Sequence, residues 1–80
     1  PDEYVKGQIT VVLQPGVPVT AATDALGLQR SALLDSFRFE QSYNALIRVP
    51  VGSERDYVKR AMAIPSVFVS AELSGIARLH

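Results

Sequence analysis

The side chains able to do acid–base, nucleophilic or metal chemistry are few in this 80-residue chain, and they are scattered. A serine nucleophile needs a base within reach of its hydroxyl. The one histidine, His80, is the last residue, and Ser36, Ser42 and Ser53 have no base nearby in sequence. Asp35 and Glu40 could approach each other across a hairpin, but a solvated pair at a strand end is the simpler reading. Asp24 and Asp56 read as charges at helix ends. Cysteine is missing, which excludes disulfides, thiolate ligands and thiol nucleophiles. No cluster of histidines and carboxylates has metal-ligand spacing, and Pro15-Gly16 lacks the glycine spacing of a phosphate-cradling loop. The expectation is a chain that is not an enzyme and carries no cofactor and no metal.

The elements that position these groups form a repeated plan. Val11-Val12-Leu13-Gln14 stops at Pro15-Gly16, and Leu46-Ile47-Arg48-Val49 stops at Pro50-Val51-Gly52. Each stop is followed by a helix-like stretch and then by another strand-like run. A first strand is expected over 7–14, where Ile9, Val11 and Leu13 alternate with Thr10, Val12 and Gln14. A short first helix is expected over 20–26, with Thr20 as N-cap and Gly27 as a left-handed C-terminal cap. Strand two is expected over 31–39, with Leu33, Asp35, Phe37 and Phe39 on one face. Glu40-Gln41-Ser42 makes the turn into strand three at 43–49.

The second helix starts near Ser53, read with Asp56 as a capping box, and ends before Pro65. Tyr57, Val58, Ala61 and Met62 form its apolar stripe. Glu54, Arg55, Lys59 and Arg60 lie away from that stripe, with Asp56 able to pair with Arg60. Strand four is expected over 66–73. The order β-α-β-β-α-β predicts an α+β, ferredoxin-like split β-α-β domain: a four-stranded antiparallel sheet with two helices on one face. Strands one and three would be central and strand two an edge.

The whole chain, 1–80, reads as one domain with a globular core over 1–73 and a C-terminal tail over 74–80. Hydrophobic residues are 48% and charged residues 20%, which places it among globular rather than disordered chains. Eight basic residues balance eight acidic ones, so no nucleic acid and no membrane is expected as partner. No signal peptide is expected within this stretch, and it holds no apolar run of the roughly 18 residues that a membrane helix needs. Because it opens on Pro1 rather than Met, the chain is expected to be a processed or excised piece of something longer.

Covering one face of a sheet takes every second strand residue. Val12, Leu46 and Phe68 fall on the alternate phase, beside Thr10, Arg48, Ser70 and Glu72. They would then sit on the open face, either as ordinary surface hydrophobicity or as a docking patch with a polar rim. One β-bulge would reverse that phase.

Four segments carry a family resemblance. The opening Tyr4-Val5-Lys6-Gly7-Gln8-Ile9-Thr10-Val11-Val12-Leu13-Gln14-Pro15-Gly16-Val17 resembles the start of propeptides of subtilisin-like (subtilase) serine proteases, particularly the fervidolysin-type N-terminal prodomains. Ala25-Leu26-Gly27-Leu28 is similar to the end of their first helix. The stretch from Asn44 to Gly52 resembles their third strand and its turn. Ile64-Pro65-Ser66-Val67-Phe68-Val69-Ser70-Ala71-Glu72 resembles their fourth strand.

The resemblance implies an intramolecular chaperone and inhibitor, secreted or extracytoplasmic as part of a precursor. Its partner would be a subtilisin-like serine protease catalytic domain. The open sheet face would pack on two surface helices of that domain, and acidic residues ending strand four would meet the helix N-termini. Glu72 matches one acidic position, while Ala71 stands where a second is common. The Glu-Pro-Asn type ending is replaced by Glu72-Leu73-Ser74-Gly75. Ile76, Ala77, Arg78, Leu79 and His80 match the tail that lies in the substrate groove. Cleavage after Leu79 would put Leu79 in the primary pocket and Ile76 three residues upstream; cleavage after His80 would put Ala77 in that second place. The rival expectation is a small-molecule-binding regulatory domain on the same fold, dimeric through edge strand two. A third, an acylphosphatase-type enzyme, lacks its phosphate loop here.

Overall fold

Ile9, Val11 and Leu13 have no exposed surface, and the fold is arranged so that they have none. The computed structural model describes residues 4–75. Strand β1 (Gln8–Leu13) is followed by α1 (Ala21–Asp24), β2 (Leu33–Phe39), β3 (Ser42–Arg48), α2 (Glu54–Met62) and β4 (Phe68–Leu73), with a single 3-10 turn at Arg30–Ala32. The sheet order is β2-β3-β1-β4, and every neighbouring pair is antiparallel. This is the expected ferredoxin-like α+β arrangement, with β1 and β3 central and β2 at an edge. Ala22 and Leu26 from the α1 region and Ala61 from α2 join Ile9, Val11, Leu13, Ala45, Ile47, Val49 and Phe68 in one core. Both helices therefore lie on one face, α2 over β4 and β1, and α1 over β3.

The first helix is shorter than its alanines predict, and its N-cap differs. Thr20 has helical dihedrals and makes no side-chain cap bond. The hydroxyl of buried Thr23 donates instead to the Thr20 carbonyl at 3.1 Å. The C-terminal end follows the expectation. Gly27 sits at φ 72°, its N–H donates to the Asp24 carbonyl, and the Leu28 N–H donates to the Thr23 carbonyl. That pair of bonds is the Schellman closure. The Asp24 carboxylate pairs with Arg30 at 2.8 Å on the surface, and that hydrogen-bonded guanidinium holds it below its ordinary pKa.

Helix α2 corrects the expectation most. Ser53 makes no side-chain cap bond. Glu54, expected to face solvent, is 2% exposed. Its Oε2 accepts the Gly7 N–H at 2.7 Å and its Oε1 accepts the Gly52 N–H at 2.9 Å. A helix N-terminus favours a carboxylate through its free N–H groups and dipole, and here one carboxylate also joins the start of β1 to the β3–α2 turn. Gly7 is tied in further, because its carbonyl accepts the Val49 N–H at 3.0 Å. Its φ is 77°, and a Cβ there would stand 3.3 Å from the Val51 side chain. Met62, read as core, is 54% exposed; the stripe that packs inward is Glu54, Tyr57, Val58 and Ala61. Arg60 lies over the Tyr57 ring at 4.5 Å rather than pairing with Asp56.

Two bulges decide which residues face the helices. Between β2 and β3 the register runs Leu33 to Ile47 and then Asp35 to Leu46, so Leu34 is extra. Leu33 therefore joins the core side, while Asp35, Phe37 and Phe39 point the other way; the expectation that all four share a face fails at this bulge. Between β1 and β4, Val12 faces Ser70 but Leu13 faces Phe68, so Val69 is extra. The core also reaches past residue 73: Ser74 is buried, and its carbonyl accepts the Val5 N–H at 2.8 Å.

Two measurements check this account. The N–H groups of Gly7, of Glu54 itself and of Gly52, with the nearby Lys6 charge, hold the Glu54 carboxyl below its ordinary 4.5. A depressed carboxylate pKa gives stability that is full above the unfolded value and is lost as pH falls through the lower folded value. Thermal unfolding of the wild type should therefore weaken below about pH 4.5, and Glu54→Gln should lower Tm at neutral pH by several degrees and flatten that acid limb. The Glu40-Gln41 turn joins β2 to β3 with Glu40 at φ 59°. Glu40→Gly should stabilise the domain by about 1 kcal/mol in urea unfolding, since a left-handed residue with a Cβ costs roughly that much.

Candidate protein-docking face

The face opposite the helices is left uncovered by the described elements, and the ladder register fixes its contents. One row across the sheet runs Asp35, Leu46, Thr10, Glu72, and the next runs Phe37, Asn44, Val12, Ser70. Val12 and Leu46 stand together at the centre, on the two middle strands, as expected. Both are half-buried by their neighbours. Thr10, Asp35, Phe37, Asn44 and Leu46 line a shallow depression of about 200 Å³ beside them.

Phe68 is not on this face. It is 2% exposed and opposite Leu13 in the core, because the extra residue Val69 shifts its phase. Its place on the apolar surface is taken by Phe37 and Phe39, 63% and 66% exposed on β2, which no phase argument had assigned to docking. Alternation along β2 alone does not find them: only the pairing with β3, which makes Leu34 a bulge, puts Phe37 and Phe39 in phase with Leu46.

Glu72 lies on the uncovered face opposite Thr10, near the end of β4, and is exposed. Ala71 lies on the other face opposite Val11 and packs against the core. A carboxylate at that position would be drawn into the apolar layer, which gives a physical reason for alanine there. At the opposite edge the Asp35 Oδ1 accepts the Ser36 N–H at 2.8 Å. Ile76, Ala77, Arg78, Leu79 and His80 lie outside the described residues.

The chemical capacity of this surface is recognition: apolar side chains at the centre and along β2, hydroxyl and amide groups between them, and carboxylates at both edges. Among the described residues no helix is long and apolar enough to cross a membrane. Compared with protein-family models, curated proteins and solved structures, the chain matches none.

Substitution separates core from surface directly. Phe68→Ala should cost about 3–5 kcal/mol in denaturant unfolding, as a buried ring does. Phe37→Ser should stay within about 0.5 kcal/mol of wild type, as an exposed side chain does. Equal costs at the two positions would contradict the register at Val69.

Proposed function

We propose that this domain is the propeptide or inhibitor module of a subtilisin-like serine protease. It works by differential binding. The uncovered sheet face docks on the catalytic domain, stabilises the near-native protease over its less folded states, and the C-terminal residues Ile76 to His80 block the substrate groove until they are cut. The precursor is extracytoplasmic on this reading, and the domain's own contribution is binding rather than catalysis. The observation that carries it is the uncovered face, where Val12 and Leu46 form an apolar centre ringed by Thr10, Asn44, Ser70 and Glu72. An apolar patch with a polar rim is the anatomy of a protein interface. The ferredoxin-like sheet is the fold the resemblance calls for, and Glu72, which the resemblance matches to an acidic position, is exposed on the uncovered face.

The test is inhibition. The purified domain should slow hydrolysis of a chromogenic peptide by a subtilisin-like protease at micromolar concentration. Removing Ile76 to His80 should weaken inhibition at least about tenfold, because tail residues bound as an added strand supply main-chain hydrogen bonds, and should leave the far-UV circular dichroism unchanged. Absence of inhibition at tens of micromolar, across several such proteases, would overturn the reading.

A further inference from the structure

The register of the sheet describes a partner surface more closely than the apolar centre alone. Asp35 and Glu72 end the same cross-strand row, one on each edge strand, with Leu46 and Thr10 between them. Four adjacent strands separate the row's ends by three spacings, about 14 Å. Two residues along β2 from Asp35 stands Phe37, and two further stands Phe39, both largely in water. Aromatic side chains, phenylalanine among them, are enriched at protein interfaces relative to the rest of the surface. Arg48, opposite Gln8 in the neighbouring row, is the one cation that the described strands place on this face.

The charges at the row's ends bear on what can cover the face. Stacked face to face on a second copy with rows in register, the surface would set Asp35 against Asp35 or against Glu72. Like charges so placed disfavour association. An anionic lipid surface would meet the same two carboxylates. A different protein that brings positive potential to both ends satisfies the pattern.

We infer that, given the protease-docking role proposed above, the partner's docking surface has an apolar seat for Phe37 and Phe39. Across its apolar centre, about 14 Å from the helix N-termini that the resemblance already assigns to Glu72, it presents a second positive site, a cationic side chain or clustered N–H donors, which receives Asp35. The β2 edge is then an anchor of the complex, and the Val12–Leu46 centre completes the seal around it.

The experiment measures inhibition constants for a subtilisin-like protease over a salt series. Its arms are the full chain, Phe37→Ser/Phe39→Ser, Asp35→Lys/Glu72→Lys, and Asp35→Asn, which keeps an acceptor for the Ser36 N–H. Circular dichroism confirms that each variant is folded. The aromatic double variant should lose about tenfold or more in potency. Charge reversal should weaken binding most at low salt and invert the salt dependence, so that added salt improves its binding, while Asp35→Asn should only reduce the wild-type dependence. Wild-type inhibition with undiminished potency in the aromatic and charge-reversed variants would overturn this inference and leave the docking role standing. A wild type that inhibits no such protease would overturn both. Sedimentation of the free domain should show a monomer; a dimer abolished by Phe37→Ser/Phe39→Ser would overturn the inference by making a second copy the occupant.

Discussion

Among the described residues one buried carboxylate, Glu54, ties the start of the central strand to the start of the second helix. Glu54 sits at the first position of α2, out of water, and accepts N–H groups from Gly7 and Gly52, residues far apart in the chain. Burying a carboxylate is costly unless its oxygens find donors, so the site demands that both backbone segments arrive in place. Gly7 then anchors the start of the central strand and, through its carbonyl, the end of β3 at Val49. The β1 side chains Ile9, Val11 and Leu13 follow from that starting point and fill the layer under the helices. In a core of this size, a polar fastening at the helix start sets geometry that apolar contacts alone leave loose.

The element order, the strand centres and the Gly27 cap were all legible, because period-two alternation and turn residues signal them directly. Glu54 was not, because a charged side chain at a helix start ordinarily faces solvent. Its spacing told otherwise: it precedes Tyr57 by three residues and Val58 by four, which is the position of a stripe member. Phe68, Phe37 and Phe39 were hidden for a different reason. Alternation assigns faces only while the count is unbroken, and Leu34 and Val69 each break it. A bulge depends on the partner strand, so no single strand's sequence announces it. The central pair Val12 and Leu46 was legible since β1 and β3 pair with each other without interruption.

The two faces of the sheet have divided labour. The helix side carries the aliphatic core together with Phe68, and the uncovered side carries the two remaining phenylalanines and the edge carboxylates. Strand β2 makes this division possible, since it pairs only with β3 and, past the bulge at Leu34, turns Asp35, Phe37 and Phe39 away from the core. Recognition can therefore vary at the exposed Phe37 and Phe39 of β2 with little effect on folding, while Leu33 on the same strand stays part of the core side.

The bond from Val5 to Ser74 has a topological consequence. It brings the two ends of the described chain side by side at one edge of the β1–β4 ladder, so the fold is nearly a closed ring of chain. Such a ring can be joined there by a short linker and reopened at another surface turn, and the exposed Glu40-Gln41 hairpin is one where no strand pairing would be cut. The order of elements along the chain is thus separable from their arrangement in space, since a chain permuted in this way keeps every strand pair of the sheet available.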